Sequence, residues 1–188
     1  MGKVVIGITM SLDGYIQDRN GSMSELNSDS EAMLHNKPLQ ELIQSTDAVI
    51  MGRNSFGLVD DPDTYADFYS FQCPIFVLTH HPPQKRPKGN DRLTFTFVTD
   101  GIESAVRQAK QAAGAKDVTV IGAPNTSHQV LQAGLADELY LDIVPILLGG
   151  GLRFFEDIGL DPIRLERIKT IEMPGGRIHL RLRIVPAR

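Results

Sequence analysis

The sequence predicts an α/β protein with a mixed, mostly parallel sheet of about eight strands. Short apolar strand segments alternate with helical segments as far as residue 145, and an antiparallel hairpin closes the chain. The composition, 41% hydrophobic and 22% charged, is that of an ordinary globular protein. At 188 residues the chain is long enough to bury one sizeable core, so we expect a single domain over residues 1–188.

The first predicted element is a central strand from Lys3 to Met10, which is rich in β-branched residues and apolar at nearly every position. The turn that follows contains Asp13 and Gly14. Gly14 offers backbone freedom, and Asp13 is able to accept hydrogen bonds from nearby N–H groups. The polar segment Gln17 to Asn27 predicts a long loop over a cleft.

A helix is predicted from Ser28 to Ser45. Ser28 precedes Glu31 by three residues, which is the spacing of a capping box, and apolar residues recur at helical spacing beyond it. Pro38 lies inside this segment, and we expect it to kink the helix or to restart it.

The second predicted strand, Ala48 to Met51, leads into the first candidate anion site. Gly52 interrupts the strand, and the polar side chains of Asn54 and Ser55 are suited to cap a helix that starts there. The N–H groups at a helix N-terminus attract negative charge, and Arg53 adds a phosphate donor. An ordinary strand-to-helix turn with a solvated arginine is the alternative interpretation.

A third strand, Pro74 to Thr79, ends in a stiff turn that contains His80 and His81. Two adjacent imidazoles suggest a metal, but no third ligand stands nearby at ligand spacing, so we expect no metal site. The acidic segment Asp60 to Ser70 is interpreted as a solvated lid. Cys73 is interpreted as a small buried residue, because no base lies near it in the sequence.

The strand Leu93 to Thr99 precedes the clearest predicted helix of the chain. Asp100 is expected to cap this helix, and Gly114 is expected to end it. Between them, apolar residues recur at helical spacing and form one face.

A second unit of strand, glycine and helix start follows. The strand Asp117 to Ile121 leads into Gly122, a run of polar capping side chains, and a helix through Leu135. Two such units in one sheet can face each other across a dinucleotide, with one helix N-terminus for each phosphate region. The spacing is not Gly-x-Gly-x-x-Gly, so the standard dinucleotide fingerprint is absent.

Three successive glycines, Gly149 to Gly151, follow the predicted strand Asp137 to Val144. They permit positive φ angles or a close backbone approach, and so serve either a ligand or a tight turn against another strand. The closing hairpin turns at Pro174 to Gly176. The basic residues of its last strand are expected to line a solvated sheet face: Arg177, His179, Arg181 and Arg183.

Charge and composition exclude several classes of function. A net charge of −4 gives no electrostatic footprint for nucleic acid or for an anionic membrane surface, so a phosphate-bearing ligand needs a local site. We find no signal peptide and no apolar run long enough to span a membrane. One cysteine cannot form an internal disulfide. We therefore expect a cytoplasmic protein that acts on a small molecule.

Four motifs occur in a specific order: Ser11 to Ile16, Met51 to Phe56, Asp137 to Leu139, and Leu148 to Phe155. Together they resemble the dihydrofolate reductase-like superfamily, most closely the reductase domain at the C-terminus of the bifunctional riboflavin-biosynthesis deaminase-reductase. The resemblance covers nearly the whole chain. It implies a three-layer α/β/α fold with a C-terminal antiparallel hairpin.

The resemblance also implies that NADPH binds along the C-terminal edge of the sheet. Asp13 and Gly14 would form the turn beside the nicotinamide, where Asp13 would orient or protonate, and Asp29 is the second catalytic candidate. Thr79 and His80 would lie near the adenosine 2′-phosphate. The residues implied to bind the cofactor are Gly14, Gly52, Arg53, Asn54, Ser55, Thr79, His80, Ile121, Gly122, Ala123, Pro124, Asn125 and Thr126.

The implied activity is reduction of a small heterocyclic substrate, similar to that of 5-amino-6-(5-phosphoribosylamino)uracil reductase. Dihydrofolate reduction and a non-catalytic NADPH sensor are the alternatives. The chain has no tryptophan, unlike dihydrofolate reductases, and Ile121 stands where riboflavin-pathway reductases usually place an acidic residue. For Asp29 the alternative role is helix capping or simple solvation.

The resemblance further implies a homodimer that pairs around the segment Leu139 to Phe155. The alternative is that Leu139, Leu141 and Ile143 fill the core of their own chain.

Overall fold

The computed structural model describes residues 2–28, 36–159 and 161–185. Its contacts divide the chain into two compact units. The first unit comprises Met1–Val5 and Ile43–Ala136, and the second comprises Ile6–Leu42 and Asp137–Arg188.

Eight strands form one sheet, and two short strands form a second. The strands are β1 (Val4–Ser11), β2 (Tyr15–Gln17), β3 (Thr46–Gly52), β4 (Ile75–Leu78), β5 (Phe95–Val98), β6 (Asp117–Ile121), β7 (Glu138–Val144), β8 (Leu152–Arg153), β9 (Arg164–Glu172) and β10 (Ile178–Val185). The large sheet has the order β5-β4-β3-β6-β1-β7-β10-β9, and β2 pairs with β8. This arrangement confirms the predicted mixed sheet and the closing antiparallel hairpin.

The described helices are short. They are α1 (Lys37–Ser45), α2 (Arg53–Phe56), α3 (Tyr65–Phe68), α4 (Ile102–Ala113) and α5 (Pro124–Gln132), with 3₁₀ turns at Pro62–Thr64 and Pro174–Gly176. The end of α4 at Gly114 is confirmed. The last predicted helix ends earlier than expected, at Gln132 rather than Leu135.

Helix α1 begins at Lys37, with Pro38 in its first turn, where proline is tolerated because the backbone N–H there has no partner in the helix. The Oδ1 atom of Asn36 accepts the N–H of Leu39 at 2.8 Å and so caps the helix. A helix therefore starts beside Pro38, whereas residues 29–35 of the predicted helix lie outside the described residues. Ser28 instead donates to the carbonyl of Glu25, and Glu31 of the predicted capping box lies outside the described residues.

Glycines, rather than the predicted polar caps, precede α2 and α4. Gly52 stands before α2, which places Asn54 and Ser55 inside the first turn instead of at its cap. Gly101 stands before α4 with φ of 100°, so the prediction that Asp100 caps this helix was wrong. A positive φ at this position is easy for glycine and costly for other residues.

Parallel strands form the core of the first unit. β3 pairs in parallel with β4 and β6, and β4 pairs in parallel with β5. Their central side chains are fully buried, as expected for a parallel sheet covered on both faces: Val49, Ile50, Ile75, Val77, Val118 and Val120. Helix α4 packs on β3 and β4 and buries Ala105, Val106 and Ala109.

The acidic segment Asp60 to Ser70 is anchored by one buried aromatic residue, whereas Asp60, Asp61 and Asp67 are exposed as expected of a solvated segment. Tyr65 is buried, and its ring stacks on Phe56 with ring centroids 5.5 Å apart. The edge of Phe95 meets Tyr65 at 5.8 Å. Aromatic packing of this kind stabilises a segment whose sequence alone looks polar.

In the second unit, β10 pairs in antiparallel register with both β7 and β9. The expectation that the basic residues of the last strand line a solvated face was wrong for two of them, since His179 of β10 and Arg177, which directly precedes β10, are buried. Each has a polar partner: Arg177 donates to the carbonyl of Leu26, and His179 pairs with Asp142. Buried polar groups are tolerated when they are hydrogen-bonded in this way.

Strand β9 is the terminal strand in the described order of the sheet. Every residue of this strand except Ile171 is exposed, including the apolar residues Leu165 and Ile168.

The glycines Gly149 to Gly151 form a tight turn against another segment of the chain, which is one of the two alternatives above. Gly151 has φ of 127°, and a Cβ atom there would collide with the carbonyl oxygen of Gln17. A Cβ atom on Gly150 would collide with the side chain of Arg19, which itself donates to the carbonyl of Gly149 at 2.9 Å.

Candidate functional site

A pocket of about 290 Å³ lies in the first unit. It opens at the carboxyl ends of β3, β4 and β5 and beside the first turns of α2, α4 and α5. In α/β sheets this edge is the usual location of ligands. Eight of the predicted cofactor-binding residues line the pocket: Gly52, Arg53, Asn54, Thr79, His80, Ala123, Asn125 and Thr126.

The two predicted units of strand, glycine and helix start touch each other directly. Their strands are neighbours, with Met51 of β3 opposite Ile121 of β6. The hydroxyl of Ser55 accepts the N–H of Ala123 at 2.9 Å. Gly122 has φ of 111°, and a Cβ atom there would collide with Ser55. Ser55 and Ala123 therefore hold the two turns together. Four of the predicted cofactor-binding residues of these turns do not line the pocket: Ser55, Ile121, Gly122 and Pro124.

Gly52 and Thr126 form a second close approach between the same turns. A Cβ atom on Gly52 would collide with Oγ1 of Thr126, a residue only 3% exposed. The glycine thus lets the start of α5 come close to the end of β3.

The pocket favours an anion. Among the described residues, no aspartate or glutamate lines it, whereas Arg53, His80 and His81 do. The starts of α4 and α5 contribute backbone N–H groups that have no partner within their helices, together with the positive ends of two helix dipoles. A protein with net charge −4 has thus placed an arginine and two imidazoles, and no described carboxylate, around this pocket.

Thr79 fixes the turn that follows β4. Its hydroxyl accepts the N–H of His81 and donates to the carbonyl of the same residue, both at 3.1 Å. Thr79 is buried, whereas His80 and His81 are exposed at the pocket wall.

Sequence reasoning missed part of the lining. Thr99 and Gly101 belong to a third strand end followed by a glycine and a helix start, which is the same pattern as the two predicted units. Interpreting Asp100 as a helix cap concealed this pattern. The other residues not predicted as ligand contacts are Leu78, His81 and Gln129.

Asp13 lies in the second unit and serves as a hydrogen-bond acceptor. Oδ1 accepts the hydroxyl of Ser11 at 2.6 Å and the N–H of Leu148 at 3.1 Å, and Oδ2 accepts the N–H of Gly149 at 2.8 Å. Gly14 follows with φ of 85°. Burial alone would raise the pKa of Asp13, but these hydrogen bonds together lower it. The geometry favours an orienting role over a proton-donating one; Asp29 lies outside the described residues.

The pKa of Asp13 is lower in the folded chain than in the unfolded chain. The ionised carboxylate is therefore expected to stabilise the fold at pH values above its pKa in the unfolded chain. This stabilisation is lost as the pH falls through its pKa in the folded chain. Asp13→Asn is therefore expected to cost about 1–2 kcal/mol near neutral pH, through weaker acceptance of the two loop N–H groups. Urea unfolding of both proteins at pH 7, 5, 4 and 3 tests this. The difference should shrink below about pH 4; a constant difference would mean that the charge of Asp13 has no part in it.

Other candidate sites carry little chemistry. No three histidine, cysteine, aspartate or glutamate side chains stand together as metal ligands in the described part of the chain. Burial raises the pKa of the Cys73 thiol to about 12, as for an unreactive buried cysteine. None of the helices in the described ranges is both long and apolar enough to cross a membrane.

Comparison with known structures supports the fold. A protein from Shewanella sp. PV-4 described as a riboflavin biosynthesis protein is 23% identical with a TM-score of 0.79, over 98% of this chain and 99% of that chain. A Thermotoga maritima diaminohydroxyphosphoribosylaminopyrimidine deaminase/5-amino-6-(5-phosphoribosylamino)uracil reductase is 15% identical with a TM-score of 0.66, over 98% of this chain and 57% of that chain. Dihydrofolate reductase from Enterococcus faecalis, complexed with NADP(H) and RAB-propyl, is 14% identical with a TM-score of 0.60, over 97% of this chain and 96% of that chain.

The sequence itself carries a family assignment. Residues 2–178 match the family model of the RibD C-terminal domain, which covers most of the chain. This family membership supports a riboflavin-pathway reductase-like role. The fold, the matched residues and the ordered motifs agree, and the chain belongs to the RibD C-terminal domain family.

Proposed function

We propose that the chain is an NADPH-dependent reductase of a small heterocyclic substrate. The observation that carries this proposal is the pocket of the first unit, where two units of strand, glycine and helix start meet beside Arg53 without a described carboxylate. Membership of the RibD C-terminal domain family supports a reductase, and a fold neighbour is complexed with NADP(H).

The lining residues suit a dinucleotide with several phosphates. Arg53 would meet the cofactor phosphates, including the adenosine 2′-phosphate that Thr79, His80 and the start of α4 also face, and the first turn of α5 would hold the pyrophosphate. When bound, the reduced nicotinamide supplies the hydride. The chain's own task is then to hold and orient the two reactants and to exclude water.

The substrate we propose to test first is 5-amino-6-(5-phosphoribosylamino)uracil, which the name of the Thermotoga maritima protein includes. Ile121, which stands in place of the usual acidic residue, lies in β6 opposite Met51. This position therefore offers no carboxylate to a substrate, and turnover of 5-amino-6-(5-phosphoribosylamino)uracil is accordingly the first point to test.

The test of the cofactor is a paired titration with NADPH and NADH, followed by the fluorescence of the reduced nicotinamide. We expect tighter binding of NADPH, and we expect Arg53→Ala to weaken it by about 10- to 100-fold, the loss of one charge-assisted hydrogen bond. NADH should be affected less. The control variant is Arg107→Ala, because Arg107 bonds to Ser104 on α4 and does not line the pocket. Equal affinities for both cofactors in wild type and variant would overturn the cofactor assignment.

Turnover separates the remaining alternatives. Oxidation of NADPH with 5-amino-6-(5-phosphoribosylamino)uracil would support the proposed activity. Oxidation with dihydrofolate that an antifolate inhibits would indicate a folate reductase instead. Tight NADPH binding without oxidation by either compound would favour a sensor protein.

We also propose that the chain forms a homodimer. Leu139 and Leu141 are 2% and 5% exposed in the single chain, so these two side chains fill its own core and are not available to a partner. The exposed apolar residues of the same segment are Leu147, Leu152 and Phe155. Sedimentation velocity at micromolar concentration is the test, and a monomer there would end this proposal.

A further inference from the structure

The connection between β4 and β5 forms one wall of the pocket in the first unit. It comprises residues 79–94 and contains no helix or strand. Its first residues, Thr79, His80 and His81, line the pocket, and nearly all of residues 82–92 are exposed. A connection of this length without secondary structure is uncommon in a compact protein and is usually either functional or disordered. The contacts that hold it therefore matter for the shape of the pocket.

Asp63 binds the middle of this connection with both of its carboxylate oxygens. Nζ of Lys85 donates to Oδ2 at 2.8 Å, and the backbone N–H of Lys88 donates to Oδ1 at 2.7 Å. The hydrogen bond from Lys85, followed by that from Lys88, holds the pKa of Asp63 below its usual range. The side chain of Lys85 is 81% exposed and that of Asp63 is 30% exposed, so the carboxylate is the more enclosed member of the pair.

A short and stiff stretch of chain leads from these contacts back to the pocket. Pro82 and Pro83 stand between His81 and Lys85. Proline fixes its own φ and restricts the residue before it, so this stretch has few ways to absorb a displacement of Lys85 without moving His81. The position of Lys85 therefore bears on the position of the imidazoles at the pocket wall.

The segment that carries Asp63 is tied to a second wall of the same pocket. Asp63 lies two residues before Tyr65, whose hydroxyl donates to the carbonyl of Phe56 at 3.3 Å and whose ring stacks on the ring of Phe56. Phe56 is the last residue of α2, the helix that contributes Arg53 to the pocket. Asp63 does not line the pocket, yet it connects the wall that carries the histidines with the helix that carries Arg53.

The far end of the connection is held by separate contacts. The amide nitrogen of Asn90 donates to Oε1 of Gln72 at 2.8 Å and to the carbonyl of Ala66 at 3.3 Å. Loss of the Asp63 carboxylate is therefore expected to release residues 82–89 without releasing the ends of the connection. An exposed ion pair contributes little to the free energy of unfolding, so the fold should persist.

We propose that Asp63 is a positioning residue for the phosphate end of the cofactor; this inference rests on the NADPH-dependent function proposed above. Through Lys85 and Lys88 it holds His80 and His81 where they meet the adenosine 2′-phosphate. The cofactor then meets a wall that is already ordered, so binding does not carry the entropic cost of ordering it.

The test is the sign of the change in affinity when Asp63 is replaced by alanine. Removing a carboxylate near an anion site would, by charge alone, strengthen the binding of NADPH. Release of the wall would weaken it instead. The matched control is Asp67→Ala, which removes the same charge from an exposed position on α3 that does not line the pocket. The fluorescence of the reduced nicotinamide gives the Kd for NADPH and for NADH, and thermal unfolding reports the fold of each variant.

We expect Asp63→Ala to raise the Kd for NADPH by about 3- to 10-fold and to leave the Kd for NADH within about twofold, because NADH has no 2′-phosphate. Asp67→Ala should leave both values within about twofold. Trypsin gives a second readout: it should cut after Lys85 and Lys88 faster in Asp63→Ala than in wild type, and NADPH should slow these cuts in wild type. A general loss of stability would weaken both cofactors alike and would not confine the faster cleavage to these two sites.

Unchanged or tighter NADPH binding by correctly folded Asp63→Ala overturns the inference, as does an equal loss of affinity for NADPH and NADH. Unchanged cleavage after Lys85 and Lys88 overturns it as well. A wild type that binds NADPH while the variant keeps its affinity refutes this inference alone, whereas a wild type that binds neither cofactor refutes the proposed function together with it.

Discussion

Gly122→Ala is expected to lower the free energy of unfolding by about 2–5 kcal/mol, because it adds a strained backbone angle to a steric collision. Gly122 has φ of 111°, and a Cβ atom there would meet both the Cβ and the hydroxyl of Ser55. Since Ser55 holds the turn of Ala123 at 2.9 Å, the collision also separates the two turns of the pocket. Thermal unfolding should shift downward by roughly 5–15 °C, and NADPH affinity should fall with it.

The control for this variant is Gly114→Ala. Gly114 also has a positive φ, of 61°, but a Cβ atom there meets nothing within 4 Å. This variant should therefore cost only the backbone strain, about 1–2 kcal/mol, and leave NADPH affinity unchanged. Equal effects of the two substitutions on stability and binding would show that the contact with Ser55 does not matter.

Arg181→Leu is expected to cost about 3–5 kcal/mol of stability, because it leaves the carboxylate of Glu138 buried without its ion-pair partner. Glu138 is only 2% exposed, and its carboxylate lies 2.7 Å from Nε of Arg181. Urea unfolding measures the loss. The double variant Arg181→Leu, Glu138→Leu should recover much of it, since an apolar pair of similar size requires no desolvation of charge.

The matched control is Arg183→Leu on the same strand. Arg183 pairs with Glu166 at 3.0 Å, but both side chains are more than half exposed. Removing an exposed ion pair should cost less than about 1 kcal/mol. A loss as large as that of Arg181→Leu would mean that strand packing, rather than the burial of charge, determines both results.

The strands were the most predictable part of the fold. The strand Asp117–Ile121 has the predicted bounds, and its central residues Val118, Thr119 and Val120 are fully buried because a parallel strand is covered on both faces. Helix starts were harder to predict: Gly101 takes the place of the expected cap Asp100, and the cap of α1 is Asn36, which the residue pattern did not single out. Capping depends on backbone angles that the residue types only partly determine.

The burial of Arg177 and His179 could not be predicted from the sequence of the last predicted strand alone. Alternation along β10 correctly separates a polar face from an apolar one, but the groups that satisfy the polar face come from distant parts of the chain. Asp142 stands 37 residues from His179 in the sequence, and Leu26 stands 151 residues from Arg177. Only the register of β7 on β10 and the path of the early loop bring them together.

The pocket was partly predictable for a similar reason. Gly52 and Gly122 mark two strand ends that a reader can recognise locally, and both turns take part in the site. The third turn, at Thr99 and Gly101, has the same local pattern, but from the sequence it was interpreted only as a helix cap at Asp100 and not as part of a binding site. Whether these residues bind a cofactor stays a prediction, as do the roles of Asp13 and Asp29.

The exposed terminal strand β9 has a consequence for how the protein behaves at high concentration. A long, open strand edge is a template for adding further strands, and charged side chains along it keep neighbouring molecules apart. Five of the nine residues of β9 are charged: Arg164, Glu166, Arg167, Lys169 and Glu172. The chain as a whole carries a net charge of −4, and salt weakens the repulsion that this charge produces between molecules, because the screening length falls from about 30 Å at 0.01 M to about 3 Å at 1 M. Concentrated stocks should therefore stay clear in dilute buffer and become turbid first at high ionic strength.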